Sequence, residues 1–535
     1  MTAPSPPYNA SRQYFGPAPD DTRPLLGIDG ITAMSAPEVL ILKKLRNQIT
    51  KHAKGNREKQ DFYEAKQAVE HLDISVPGKM AGIGVAVGWA GTTVDAIDER
   101  IDWLGWVTDD GQLDGLDEVY VDNDLAVESN YAHVDGLTTG VGFVTVGVEE
   151  TDILGRPSAD KRVIVSVESS STASLIWDYR ERRSFAGLSQ TLDDENNVIM
   201  ETLYLRNSNL LFARNPDPYA STELQLVSRN DHNLNRCFMT RLPNRARPAQ
   251  MDGRSEISAA VRYYTNAAVR TMLGMEVNRE FYVAPQRFVL NAKPEDFGVT
   301  DDMSAEERWR KGLSVAMGMI NIVPPRSDNT EGDPPSVQEF RPAPPTPFIE
   351  QVKAYSIQMS AETGLPATLF GFVTDNPTSG DAIVKSEFRL TRRSARRIGS
   401  FGQGWREVAL LAQLAKKGTD IDLDFMRGVR CRFANPMIPT PGATSDEMQK
   451  MVASKILVPD SVVTYELYGR LDDRQIKQLT KDKVAFEAKQ ARQAQQEAAN
   501  QAKVAARANP PGTSAGPNNR PPSPASRPAA SSAAP

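Results

Sequence analysis

The chain has 535 residues and a formal net charge of -6, long enough for three or four cores and too acidic for a protein that coats DNA along its length. Any nucleic-acid contact must be local or weak. Its two cysteines, Cys237 and Cys431, match no metal or redox spacing, and no apolar stretch approaches the roughly 18 residues of a membrane span.

The opening "MTAPSPPYNASRQYFG" lacks the charged start and apolar run of a signal peptide, so the expected location is the cytosol. Residues 1 to 35, rich in Pro, Ala and Ser, read as a flexible arm. From Ala36 a helical pattern runs to Leu72, before the Pro77-Gly78 break, and a second helical unit is expected over 87–106. Alternation then takes over. Val144, Val146 and Val148, then Val163, Val165 and Val167, fall on single faces of short strands, and 139–243 reads as an antiparallel sheet region. Helices are expected at 255–281 and 347–366, separated by a segment punctuated with Pro and Gly.

Pro377 opens the next unit, a turn of Asp375, Asn376, Pro377, Thr378, Ser379 and Gly380. Pro377 biases Asn376 away from helical geometry, and Thr378 or Ser379 suits a helix cap, so a helix is predicted from about residue 379. At about 100° per residue, Ile383, Leu390, Ser394, Ile398, Phe401, Trp405, Val408 and Ala412 share one stripe. Lys385, Arg389, Arg392 and Arg396 gather opposite, with Arg393 and Arg397 towards the stripe's edge. The pattern runs to about Ala415, and Gly418 is a stop signal. The basic face fits a solvated surface, pairing with carboxylates of a neighbouring chain, or contact with nucleic-acid phosphates, and periodicity does not choose among them. Beyond it a short strand, a Pro-rich link at 436–441 and small helices from 445 to about 490 are expected, and after them a disordered, mildly basic tail over 491–535.

The sequence carries no recognisable catalytic constellation. The histidines, His52, His71, His133 and His232, are scattered and read as surface or capping residues. No Walker A loop or nucleophile elbow occurs, and "GIGVAVG" (82–88) lacks the strand and acidic partner of a dinucleotide site. The acidic run Asp109, Asp110, Asp114, Asp117, Asp122 and Asp124 fails the calcium-loop spacing at Ala126 and reads as exposed loop and cap carboxylates. Neither a cofactor nor a metal is called for.

The stretches "VGWAGTTVDAIDERIDWLGW", "DNDLAVESNYAHVDGLTTGVGFVTV", "APQRFVLNA", "AETGLPATLFGF" and "DNPTSGDAIVKSEFRL", in this order, resemble the portal proteins of tailed bacteriophages, in the form found among phages of actinobacteria. The resemblance covers about residues 35–480. It implies an α+β portal fold in a ring oligomer, usually of twelve subunits, at one capsid vertex. Double-stranded DNA is packaged through such a ring by the terminase large subunit and later ejected, and a head-completion adaptor attaches there; the other partners it implies are the major capsid and scaffolding proteins, with no membrane.

By position, the resemblance makes 36–254 a wing of helices and antiparallel sheet, 255–281 and 346–370 the stem helices, and 282–345 the clip. Residues 371–380 become the tunnel loop, 381–441 the long wing helix and strand, and 442–490 the crown. In a ring each subunit meets its neighbour through different surfaces, which places neighbouring carboxylates ahead of phosphate as partners of the basic face. Tight Lys or Arg contacts to phosphate would hold a duplex in place, so a mildly acidic chain suits a conduit. The alternatives are a metal-dependent nuclease or packaging enzyme, and a capsid shell subunit.

Overall fold

A computed structural model describes residues 34–67, 84–108, 111–151, 157–214, 223–248, 250, 252–283, 287–291, 302–307, 320–323, 336–339, 344–371, 380–437, 441–459, 461, 464–465 and 473–508. The arm expected over 1–35 lies outside these except for its last two residues, as does the tail beyond 508. The described residues form two compact units, one up to Ile438 and one from Pro439. Helix and sheet are mixed throughout, as an α+β chain requires, and among the described residues no helix is long and apolar enough to cross a membrane.

Helix α1 (Ala36–Tyr63) stops short of the expected Leu72. Ala65 turns left-handed at φ 55°, and the Lys66 N–H reaches back to the Asp61 carbonyl at 2.7 Å, a helix ending that here forms without glycine. Helix α2 (Trp89–Asp98) likewise ends before 106, and Trp103–Val107 is a strand, β1. Its bulge explains the misreading. Strict alternation would put Trp103 and Trp106 on opposite faces, but Gly105 at φ 101° inserts an extra step and both indoles are buried. Two helices, α3 (Leu116–Asp122) and α4 (Leu125–Thr139), carry the later part of the acidic run and the segment beyond it.

The antiparallel region is realised as two sheets. Strands β2 (Val141–Thr151), β3 (Pro157–Glu168) and β9 (Met239–Pro243) form one in the order β3-β2-β9. Its register pairs Val144 with Val167, Val146 with Val165 and Val148 with Val163, so the two expected valine faces are one face. The other sheet is a meander of β4 (Ala173–Asp178), β5 (Arg183–Leu192), β6 (Val198–Tyr204), β7 (Asn209–Arg214) and β8 (Leu224–Asn230). Helix α1 covers it, with Leu42, Leu45 and Ile49 against Leu188, Leu203, Leu210 and Phe212.

Helix α5 (Ala259–Val283) comes next in the chain, and α6 (Thr346–Thr363) packs against it with the Tyr264 and Tyr355 rings 6.4 Å apart. Between them lie three short strands, β10 (Arg287–Leu290), β11 (Ile320–Val323) and β12 (Ser336–Glu339), with β10 central. A 3-10 turn at Ala367–Phe370 leads towards α7 (Gly380–Lys417), the long helix, and Gly418 at φ 64° closes it as its position predicts. Then come α8 (Leu423–Gly428) and β13 (Arg430–Phe433), which pairs with β1.

The second unit carries α9 (Pro441–Ala453) and α10 (Asp473–Ala508). Helix α10 corrects the expectation of small helices and of disorder from 491. It runs through that boundary because the chain from Lys483 to Ala508 is mostly Ala, Gln, Lys, Glu and Arg, strong helix formers with no Gly or Pro to stop them.

Candidate functional site

Helix α7 lies across β9 and β2. At Gly404 an added Cβ would come within 2.7 Å of the Arg241 carbonyl oxygen and 2.5 Å of Leu242, so only glycine allows this approach. Phe401, Trp405, Val408 and Ala412 of the expected stripe are buried there. Trp405 stacks on Trp103 at 4.2 Å, accepts through its carbonyl a bond from the Trp106 indole at 2.9 Å, and donates its own indole N–H to His133 at 2.9 Å.

His133 is therefore a core residue and not the surface or capping histidine expected. Its ring stacks on Phe401 at 4.8 Å, and burial pushes its pKa down to about 3, so Nε2 is free to accept from Trp405. The spacing of Leu125, Ser129, His133 and Leu137, all buried on α4, carries this signal. His232 does cap locally, its Nδ1 accepting the Leu234 N–H at 3.2 Å, and His71 lies outside the described residues. Both cysteines are free, and burial pushes their thiols up to about 12.

The arginines of α7 divide into two sets. Arg393 and Arg397 turn inward to one carboxylate, Glu256, which is fully buried between β9 and α5. Arg393 donates at 2.7 Å, Arg397 through Nε at 3.1 Å, Arg245 at 3.3 Å and the Asn244 amide at 3.1 Å. Burial alone would raise the Glu256 pKa; the Arg397, Arg393 and Arg245 guanidiniums outweigh it and hold the carboxyl below its ordinary value. Two of the six expected basic-face residues thus meet a carboxylate of their own chain. Glu256 gives no local signal, because it stands 137 and 141 positions from its α7 partners.

Lys385, Arg389, Arg392 and Arg396 stay exposed. Arg389 lays its guanidinium against Gly364 at the end of α6, and beside it Glu387 takes an ion pair from Arg100 at 3.0 Å. Of the turn residues, Gly380 is the first residue of α7, while Asp375, Asn376, Pro377, Thr378 and Ser379 lie outside the described residues. In the acidic run, Asp114 and Glu118 pair with Lys417 and Lys416 at the end of α7. Among the described residues no three His, Cys, Asp or Glu side chains are grouped to hold a metal ion.

The geometry is a sheet-backed long helix that leaves Lys385, Arg389, Arg392 and Arg396 exposed on one side. The family model "Phage portal protein, SPP1 Gp6-like" matches residues 43–501, and the chain belongs to that family of bacteriophage structural proteins. It is 28% identical over 402 residues to the portal protein of Mycobacterium phage D29, covering 74% of this chain and 78% of that one. A similar match, 28% over 397 residues, joins it to the portal protein of Mycobacterium phage L5, covering 73% and 77%.

Proposed function

We propose that this chain forms a closed ring, of twelve copies, at one vertex of the capsid, through which the terminase large subunit drives double-stranded DNA and to which a head-completion adaptor then binds. The ring is a conduit and performs no catalysis of its own. The observation that carries this reading is the family match over 43–501, which takes in both compact units. In this reading α5 and α6 are the stem, the segment holding β10 to β12 is the clip, and the sheets with α1 to α4 and α7 are the wing. The unit from Pro439 carries the crown. Residues 371–380 are the tunnel loop, whose short polar side chains touch passing phosphates without gripping them. Lys385, Arg389, Arg392 and Arg396 face carboxylates of the adjacent subunit in preference to DNA, since strong phosphate contacts would stall translocation.

The test is mass measurement with negative-stain imaging of the purified chain, then packaging into procapsids. Closed rings with an axial hole are expected, and a persistent monomer that cuts DNA with magnesium would overturn the reading. Replacing Thr378, Ser379 and Gly380 with alanine should leave rings and procapsid incorporation intact while reducing packaged DNA. Packaging equal to wild type in the same procapsids removes the tunnel-loop role.

A further inference from the structure

Helix α4 meets α7 where His133 contacts Trp405 and Phe401. On the far side of each helix from that seam lies a charged surface, and the two are of opposite sign. Arg396 is about 180° round α7 from Trp405, and Lys385, Arg389 and Arg392 lie within about 40° of Arg396. All four are exposed, and none pairs with a carboxylate among the described residues. Phe388, a neighbour of Lys385 and Arg392 on the helix surface, is 63% exposed among them. Glu387 is paired with Arg100. Setting exposed Glu362 of α6 and Asp381 at the start of α7 against the stripe still leaves an excess of two positive charges.

On α4, Asp124, Glu128 and Tyr131 lie about 140–180° round from His133. Tyr131 is 59% exposed and Val127, one turn earlier, 51% exposed. Asp117 extends this surface along α3, and neither helix contains a lysine or arginine. The cations around it are Lys416 and Lys417, which pair with Glu118 and Asp114, Arg162, which donates to the Asp122 carbonyl at 3.0 Å, and Arg432 near Tyr120. Against them stand the six carboxylates between Asp114 and Glu128, an excess of two negative charges. Asp117, Asp124 and Glu128 pair with no described residue.

We propose that the α3–α4 patch of one copy docks on the α7 stripe of the next, with Tyr131 and Val127 against Phe388, and Asp117, Asp124 and Glu128 against the four cations. The stripe runs about 16 Å from Lys385 to Arg396, and the patch about 10 Å along α4 from Asp124 to Tyr131 with α3 beyond it. Two surfaces of one chain with opposite excess charge and an exposed aromatic each argue for a second copy as the occupant. A duplex would meet the cations but offers nothing to Phe388 and leaves the acidic patch uncovered. The surfaces share no residue and face apart, so each copy uses both, and a head-to-tail contact of this kind closes into a ring when its rotation divides a full turn. This rests on the ring reading and names the carboxylates that the basic face meets.

Charge reversal tests it. A stripe variant, Arg392→Glu with Arg396→Glu, and a patch variant, Asp117→Lys with Glu128→Lys, each bring like charges together. Each alone should keep its circular dichroism and associate about a hundredfold more weakly than wild type. Mixed in equal amounts they should form species holding both variants in equal numbers by native mass spectrometry, the dimer first and alternating rings where the swapped charges also meet. Rings from either variant alone, or a mixture without mixed species, overturn the pairing. A stripe variant that keeps its rings but packages less DNA overturns it too, and assigns the stripe to phosphate. Wild type that never associates sinks the ring reading itself, an outcome distinct from these.

Discussion

The two halves of α7 are held by different physics. From Phe401 to Ala412 the helix is fixed by burial of Phe401, Trp405, Val408, Ala409, Leu411 and Ala412 over β9 and β2, where each large side chain contributes about 1.5–3 kcal/mol and the load is spread. From Lys385 to Arg397 only Leu390, Ser394 and Arg397 are buried, and the fixed point is the Glu256 carboxylate. The first stretch spreads its load over many contacts; the second concentrates its buried charge on one carboxylate, with Leu390 and Ser394 as its other buried side chains. Arginine content therefore says little about exposure, since Arg396 is exposed and its neighbour Arg397 is buried.

The sharpest way to break this contrast is Glu256→Ala. It leaves three guanidiniums facing one another with Arg397 buried, and stability measured by denaturant should fall by about 3–5 kcal/mol. Replacing Glu256 and Arg397 together by Met should recover much of it. Loss under about 1 kcal/mol for the single variant would mean that the clasp holds nothing.

The aromatic end is sharpened by pH. His133 is pushed down to about 3, whereas an unfolded histidine titrates near about 6.5. Below that value the unfolded chain takes up a proton that the folded chain refuses. Stability is thus full above about pH 6.5 and is lost at about 1.4 kcal/mol per unit as pH falls towards the folded value. Burial raises Asp98 to about 7 and Asp135 to about 6, which gives the opposite slope over the same range, so the wild-type profile is partly levelled. His133→Gln keeps an acceptor for Trp405 and removes the titration. The wild-type stability minus that of this variant should decline steadily from pH 6 to pH 4, and a flat difference would place the proton elsewhere. The smallest effect belongs to the exposed set. Arg392→Gln with Arg396→Gln should leave the unfolding midpoint of the isolated subunit unchanged, and a drop like that of Glu256→Ala would erase the distinction between the two sets.

Legibility in the sequence divides along the same line. The start and stop of α7, its apolar stripe and the paired valines of β2 and β3 rest on local periodicity and on Gly418, and these are legible. The Glu256 clasp joins segments far apart in the chain, and no local pattern encodes such a pairing. Trp103 and Trp106 mislead because a bulge at Gly105 breaks the period that identifies a strand. Ala65 ends α1 in a conformation that composition normally reserves for glycine. The residues from 491 read as disordered because they cannot build a core, yet helix propensity alone extends α10 through them.

At about 1.5 Å per residue the 38 residues of α7 make a rod about 57 Å long. The Glu256 clasp holds it at Arg397, and from there to Gly380 the helix extends about 25 Å, with Leu390 and Ser394 buried on the way. A tilt of about 5° at the clasp would sweep the tip by about 2 Å, the scale of a packed helix shift. Buried Leu390 opposes that sweep, together with the Arg100–Glu387 pair and the Arg389 guanidinium beside Gly364. Because Gly364 ends α6, the Arg389 guanidinium ties the end of that helix to the N-terminal stretch of α7, a cross-link between two elements of unlike burial.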